Sequence, residues 1–361
     1  HDAKTVVHAG YGIFYDKIFL LVARNTLLAR QSIAMSSAAA TAQFVNGAFP
    51  ESNTYPTGVS LPKPTINLVP SNLVIPYMQQ ASFSIEHGFG SNWHVAANYV
   101  FVHGVKLLNS HNTNLAPPTL LTASNAASLG VSSPKPQQLG RWYYGPSARL
   151  NPTYNNIQED GNWGGSSYNG LQLTSEHRMS HGVSLTANYT FSKAIDNASD
   201  FTQSMQPDNP YNPRAERALS YEDMRHRFTL AGVWELPYKR HGDQNSAMRW
   251  TFGDWVASTI WSFHSGTPGN ITVGSDVNGD GNSSTDRPFI NGVLIGRNSY
   301  TMPGAATVDL RMEKRIMIRE RASVAFLAEA FNLFNRTNYD GVNLTWGTGL
   351  TSNSTFGQRT S

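Results

Sequence analysis

The sequence predicts an all-β fold, an antiparallel transmembrane β-barrel with long external loops, of which this chain supplies about nine strands of a larger barrel. Three observations carry that expectation. Apolar and polar side chains alternate strictly in segments of about ten residues, the period and length of a membrane-crossing strand. The links between the segments are alternately short and long. Charged side chains make up only 14% of the 361 residues, where a soluble globular protein carries roughly 25%.

The rest of the composition agrees. Eight Trp, 15 Tyr and 30 Gly favour strands and turns. The net charge of +3 comes from 27 basic and 24 acidic residues that are interspersed, so no basic stripe suggests a nucleic-acid partner. There is no cysteine, which excludes disulfides and thiolate metal sites. No run approaches the roughly 18 apolar residues of a spanning helix; the densest early one is Ile18 to Ala23. The chain opens on HDAKTVVHAGYGIFYD, without an initiator Met or an apolar leader, and this predicts that any export signal lies upstream.

Taken in order, the strands fall near 4–15, 77–88, 93–105, 168–178, 183–192, 225–236, 254–265, 305–316 and 322–334, in one partial barrel domain spanning 1–361. The clearest is the fifth. There Val183, Leu185, Ala187, Tyr189 and Phe191 alternate with Ser184, Thr186, Asn188, Thr190 and Ser192. The fourth carries Leu171 and Leu173 between Gln172, Thr174, Glu176 and Arg178, and a turn at Ser180-His181-Gly182 joins the two as a hairpin. The third repeats the pattern in Trp93, Val95, Ala97, Tyr99 and Phe101, the sixth in Phe228, Leu230, Gly232, Trp234 and Leu236, and the seventh in Trp255, Ala257, Thr259, Trp261 and Phe263.

Alternation alone does not separate a soluble sandwich from a barrel, and the links decide. Those after His87, His177, Leu236 and Ile316 are comparatively short. Those after Tyr15, Val105, Ser192 and Ser265 are long and rich in Asn, Pro, Gly and Ser. Short periplasmic turns and long outer loops are the outer-membrane pattern. His87, His177 and Lys314 interrupt the apolar face, yet lie near the periplasmic strand ends, where a charge costs only ~0 to 1 kcal/mol. Tyr15, Phe101, Phe191, Trp234, Tyr238 and Phe263 sit near strand ends as interfacial aromatics do. With the first strand ascending, the ninth ascends too, so the pattern predicts a descending strand beyond Ser361.

Several segments resemble the barrel of TonB-dependent receptors, in particular the Oar-like group. They are GYGIFYD at Gly10 to Asp16, YNGLQLTSEHRMSHGVSLTANYTFSKAID at Tyr168 to Asp196, and DMRHRFTLAGVWELP at Asp223 to Pro237. Two more are SGTPGNITVGSDVNGDGNSSTDRP at Ser265 to Pro288 and AEAFNLFNRTNYDGVN at Ala328 to Asn343. The resemblance implies an exported protein, often with a carboxypeptidase-regulatory-like domain, then a plug, then a plugged barrel of about 22 strands. It also implies uptake or sensing of a ligand, a peptide, sugar or chelate, across the bacterial outer membrane. The implied partners are outer-membrane lipid and a TonB complex reached through a plug that this chain lacks. The barrel itself implies no cofactor.

Three clusters bear on chemistry. Asp276, Asn278, Asp280 and Asn282, with Gly281, match the first half of an EF-hand calcium loop; Arg287 stands where the closing Glu belongs, with Asp286 one place earlier. The alternatives are a calcium site or an Asn/Asp/Gly-rich outer turn. Trp142, Tyr143, Tyr144, Tyr154 and Trp163, among Asn, Gln and Pro, could stack on a ligand or pack on one another over the barrel mouth. Asp223 and His226 invite an acid–base reading, but charges at the mouth of a polar lumen pair structurally, and no common catalytic spacing occurs, so no enzyme is expected. Two rivals remain: a secreted β-propeller or sandwich that binds or cleaves carbohydrate, and a passive porin or surface adhesin on the same barrel.

Overall fold

A computed structural model describes residues 4–17, 31–32, 63–200, 205–236, 251–319 and 322–360. The run Ile18 to Ala23 and Tyr238 lie outside them.

Among the described residues, nine long strands pair in chain order, each antiparallel to the next. They are β1 (Thr5–Tyr15), β2 (Tyr77–Phe89), β3 (Trp93–Asn112), β4 (Ile157–Ser180), β5 (Val183–Asp196), β6 (His226–Glu235), β7 (Trp255–His264), β8 (Ala305–Arg319) and β9 (Ala322–Ala330). This is an up-and-down meander, with β1 and β9 at opposite edges of an open sheet, as befits part of a barrel.

Register turns the alternation of single strands into two continuous faces. Reading straight across the ladder, Val7, Ile85, Ala97, Leu173, Tyr189, Phe228 and Phe263 form one unbroken apolar row. One residue along each strand, His8, Ser84, Asn98, Gln172, Thr190, Arg227 and His264 form a polar row. A slip of one residue anywhere would exchange the faces, so the row fixes the register of every strand it crosses. On the polar side the Asn98 amide donates to Gln172 Oε1 (3.0 Å), and Thr174 Oγ1 donates to Asn188 Oδ1 (3.0 Å). The apolar row is left bare, with Ile85 44% and Leu173 41% exposed, which is the condition of a lipid-facing surface.

The three polar interruptions of the apolar face are each held. His87 Nδ1 lies 2.7 Å from Thr5 Oγ1, and His177 Nδ1 lies 3.1 Å from the Val183 carbonyl. Lys314 Nζ donates to the Gly253 carbonyl and sits 5.6 Å from the centre of the Trp255 ring. Lys314 is only 8% exposed, so its charge is covered by protein.

The β4–β5 hairpin closes in two residues, His181 (φ 50°) and Gly182 (φ 78°), both with positive φ as a type I′ turn requires. A Cβ on Gly182 would stand 2.8 Å from the Glu235 carbonyl oxygen of the neighbouring β6. Gly182→Ala therefore carries both a left-handed backbone and a clash, and is expected to cost ~1 to 3 kcal/mol in a denaturant titration in detergent. Unchanged stability would mean that the turn is not held as described.

Two strands run much further than their alternation suggests. β3 continues to Asn112 and β4 begins at Ile157, 20 and 24 residues long. Their outer halves pair through two register shifts around Leu107, beside Lys106 with φ 55°. Here the chain is polar and buried: Asn109, Ser110, His111, Asn112, Gln158 and Asp160 are all nearly inaccessible. Beyond the membrane a strand buries its faces against loops, so no lipid-driven alternation marks it.

Candidate functional site in the external loops

The long links after β3, β5, β7 and β9 all leave the same end of the sheet and fold into one body. Its small apolar heart is Leu115, Leu121, Tyr144, Val273 and Val277, all at most 2% exposed. Around it the loops are tied to one another mainly by polar groups. The Tyr144 amide donates to the Asn278 carbonyl (2.7 Å), and Gln137 Nε2 donates to the carbonyls of Phe289 (3.0 Å) and Gly349 (2.9 Å). Arg297 pairs with Asp196 at the head of β5.

The densest knot involves the DVNGDGNSSTDR segment. Glu216, in the turn Pro213–Glu216 that a Pro opens, accepts both Nη1 (2.7 Å) and Nη2 (2.9 Å) of Arg287, and both side chains are buried. Arg287, the residue that stands in the EF-hand's closing position, is thus committed to a different loop. Arg141 donates to the Arg287 carbonyl (2.5 Å) and lies 3.5 Å from Asp286 Oδ1. Arg149 Nη2 donates to the Asp280 carbonyl (3.2 Å).

Within the segment each short side chain turns back on the backbone. Asp276 accepts from the Gly279 amide (2.6 Å) and the Gly281 amide (2.9 Å), Asn278 Oδ1 from the Asp280 amide (2.9 Å), and Asp280 Oδ1 from the Asn282 amide (2.6 Å). Asn282 Oδ1 accepts from the Ser284 amide (3.1 Å). Gly279, at φ 79°, is pressed between Tyr143 and the Tyr144 carbonyl, where a Cβ would have no room. One carboxylate oxygen each from Asp276, Asp280 and Asp286 lie within 4.8 Å of one another. Of the five residues singled out in the sequence, the three aspartates converge, while Asn278 also donates its amide to Asp280 (3.2 Å) and Asp208 (3.2 Å).

This crowding of acids is electrostatically uncomfortable. Burial, then Asp276, pushes Asp280 up to about 7. Burial, then Asp280 and Asp208, pushes Asp286 up to about 9 against the pull of Arg141. Asp208, which sequence reasoning passed over, is raised by burial too. Its only signal was a place in the Pro- and Asn-rich stretch Pro207 to Pro213.

The aromatic cluster does not gather as one surface. Trp142 is 56% exposed and Tyr143 half-buried, whereas Tyr144 is 2% exposed and donates its hydroxyl to Asn209 Oδ1 (3.2 Å). Trp163 belongs to β4, its ring stacked 4.1 Å from His111, and Tyr154 is half-buried near the loop's end. Nor do Asp223 and His226 pair. Asp223 Oδ1 accepts from the Ala194 amide (2.6 Å), and His226 Nδ1 faces the Tyr189 hydroxyl (2.8 Å). Two furrows of about 480 and 440 Å³, between such residues as Ala97, Leu173 and Phe228 or Leu185, Trp234 and Trp261, lie on the apolar face.

Among solved structures, the chain is similar to the outer membrane transporter YddB from Escherichia coli (TM-score 0.47, 11% identity, 95% of this chain and 36% of that one). It is also similar to the Pseudomonas aeruginosa FpvA in complex with a heterologous pyoverdine (0.45, 10% identity, 98% and 29%). The ferric-catecholate import receptor Fiu from Escherichia coli K12 aligns at 0.43 with 9% identity over 95% and 30%. The chain thus spans about a third of the length of these proteins. No curated protein matches it. The sequence model of the family described as Outer membrane beta barrel domain matches residues 1–294 and 294–361, and the chain belongs to that family.

Proposed function

We propose that this chain is part of the barrel of a TonB-dependent outer-membrane receptor that takes up or senses a ligand, and that it acts as one domain without enzymatic activity. The observation that carries the reading is the single loop body. Four outer loops are cross-linked by buried polar contacts over one end of the sheet, a fixed surface suited to recognition. The motif resemblance from Gly10 to Asn343 supports the same reading. In this reading Trp142, which is exposed, and Tyr143, which is half-buried, would stack on a ligand, be it a peptide, a sugar or a chelate. Tyr144 serves as the body's internal pin.

The passive porin is the rival on the same scaffold, and two measurements on the full-length gene product in detergent separate them. A receptor should bind the purified periplasmic domain of TonB and pass negligible current in a planar bilayer, because a plug fills the lumen. Steady ohmic conductance with no TonB binding would refute the receptor reading.

A further inference from the structure

We propose that Asp276, Asp280 and Asp286 form a calcium site in the external loop body, fastening the loop 265–304 to the loops 113–156 and 197–225. The site goes beyond the receptor reading.

The first support is geometric. The three carboxylate oxygens within 4.8 Å of one another match the span that two Ca–O bonds of about 2.4 Å bridge. All three donors are hard oxygens, the class that calcium takes. Asp276 is exposed while Asp280 and Asp286 are buried, so water and the ion reach the site from one side.

The second support is an orphaned acceptor. Asp286 is 0% exposed and its carboxylate joins the cluster; its Oδ2 accepts from the Val277 amide (3.3 Å), while its Oδ1 receives no hydrogen bond. Arg141 Nη1, 3.5 Å away, is not aligned to donate and is itself without a hydrogen-bond partner. A buried carboxylate oxygen with an ion pair but no hydrogen bond is incompletely satisfied, and a cation seated on it would complete its coordination.

Charge gives the third. Among the described residues of the knot, Asp208, Glu216, Asp276, Asp280 and Asp286 face Arg141, Arg149 and Arg287. Carboxyl groups outnumber guanidinium groups there by five to three, so the knot's own cations do not occupy every carboxyl oxygen. Arg287 does not block the site, because Glu216 holds both of its terminal nitrogens.

An ion there would lock three loops at once. The segment that carries the ligands also receives the Tyr144 amide and Arg149 from one loop, and offers the Asn278 amide to Asp208 of another. An affinity of about 0.1 to 1 mM is typical of extracellular calcium modules and suits an outer surface.

Terbium tests it, since Tyr143 packs directly on Gly279 and can sensitise a lanthanide in the loop. The full-length protein in detergent should show Tb³⁺ emission that millimolar Ca²⁺ displaces and equal Mg²⁺ does not. Asp276→Asn with Asp280→Asn should lower that emission at least tenfold, in a protein whose barrel is shown to be folded by its shifted mobility before boiling. No emission from wild type, or equal emission from the variant, overturns the site. Should the variant fail to assemble, wild type decides alone. Trypsin cleavage of the loops slowed by Ca²⁺ but not Mg²⁺ supports the site, and identical digestion in Ca²⁺ and EDTA overturns it.

Discussion

Glu216→Gln is expected to open the external loop body without touching the membrane-spanning sheet. The substitution keeps the shape of the side chain but strands the buried Arg287 guanidinium, which Glu216 alone among the described residues holds at both terminal nitrogens. Removing one partner of a buried pair costs ~3 to 5 kcal/mol. Local opening should then become roughly two to four orders of magnitude more frequent. Hydrogen exchange reads this at the Tyr144 amide, bonded to Asn278, and the Val273 amide, bonded to Asp286. Exchange at Leu173 in the sheet should not change. The replacement of both partners, Glu216→Leu with Arg287→Met, should recover most of the protection, since the stranded charge is what costs. Unaltered exchange in Glu216→Gln would show that other ties hold the loops.

Leu173→Arg should impair assembly into lipid vesicles by ~2 to 4 kcal/mol, the cost of a cation near the bilayer midplane. Leu173 lies within the apolar row, between Ala97 and Tyr189 and away from both strand ends. Thr190→Arg places the same charge one residue along the ladder, on the polar row beside Gln172, and should change stability by about 0.5 kcal/mol or less. Reversible unfolding by denaturant in vesicles measures both. Equal losses would abolish the assignment of faces.

These two positions show what was legible in the sequence. Leu173 could be placed because lipid imposes a two-residue period on any strand that crosses it, and Val183 to Phe191 shows that period without a break. The outer halves of β3 and β4 obey no such rule. Gln158 and Asp160 are buried among other polar groups, and their segment reads as a loop. The partnership of Glu216 and Arg287 was equally unreadable, because 71 residues separate them and only the folding of two loops together joins them. Asp276, Asp280 and Asp286 were legible as a set, since their spacing is local. That Tyr144 points inward while Trp142 points outward was not, for the two lie in one short aromatic run whose neighbours come from distant loops.

The length of β4 has a consequence for how charged molecules approach. At roughly 3.3 Å per residue and a tilt of about 40°, its 24 residues rise ~60 Å along the membrane normal, against an apolar band of about 25 Å. The outer tip of these strands, where Asn112 donates to the Asp280 carbonyl (3.3 Å), therefore stands roughly 30 Å clear of the lipid. At physiological ionic strength electrostatic fields fade over about 8 Å, so the anionic membrane surface is screened at that height. A molecule arriving from the medium is steered by the loops' own charges, and the acid-rich knot around Asp276 favours cations there whatever the lipid composition beneath.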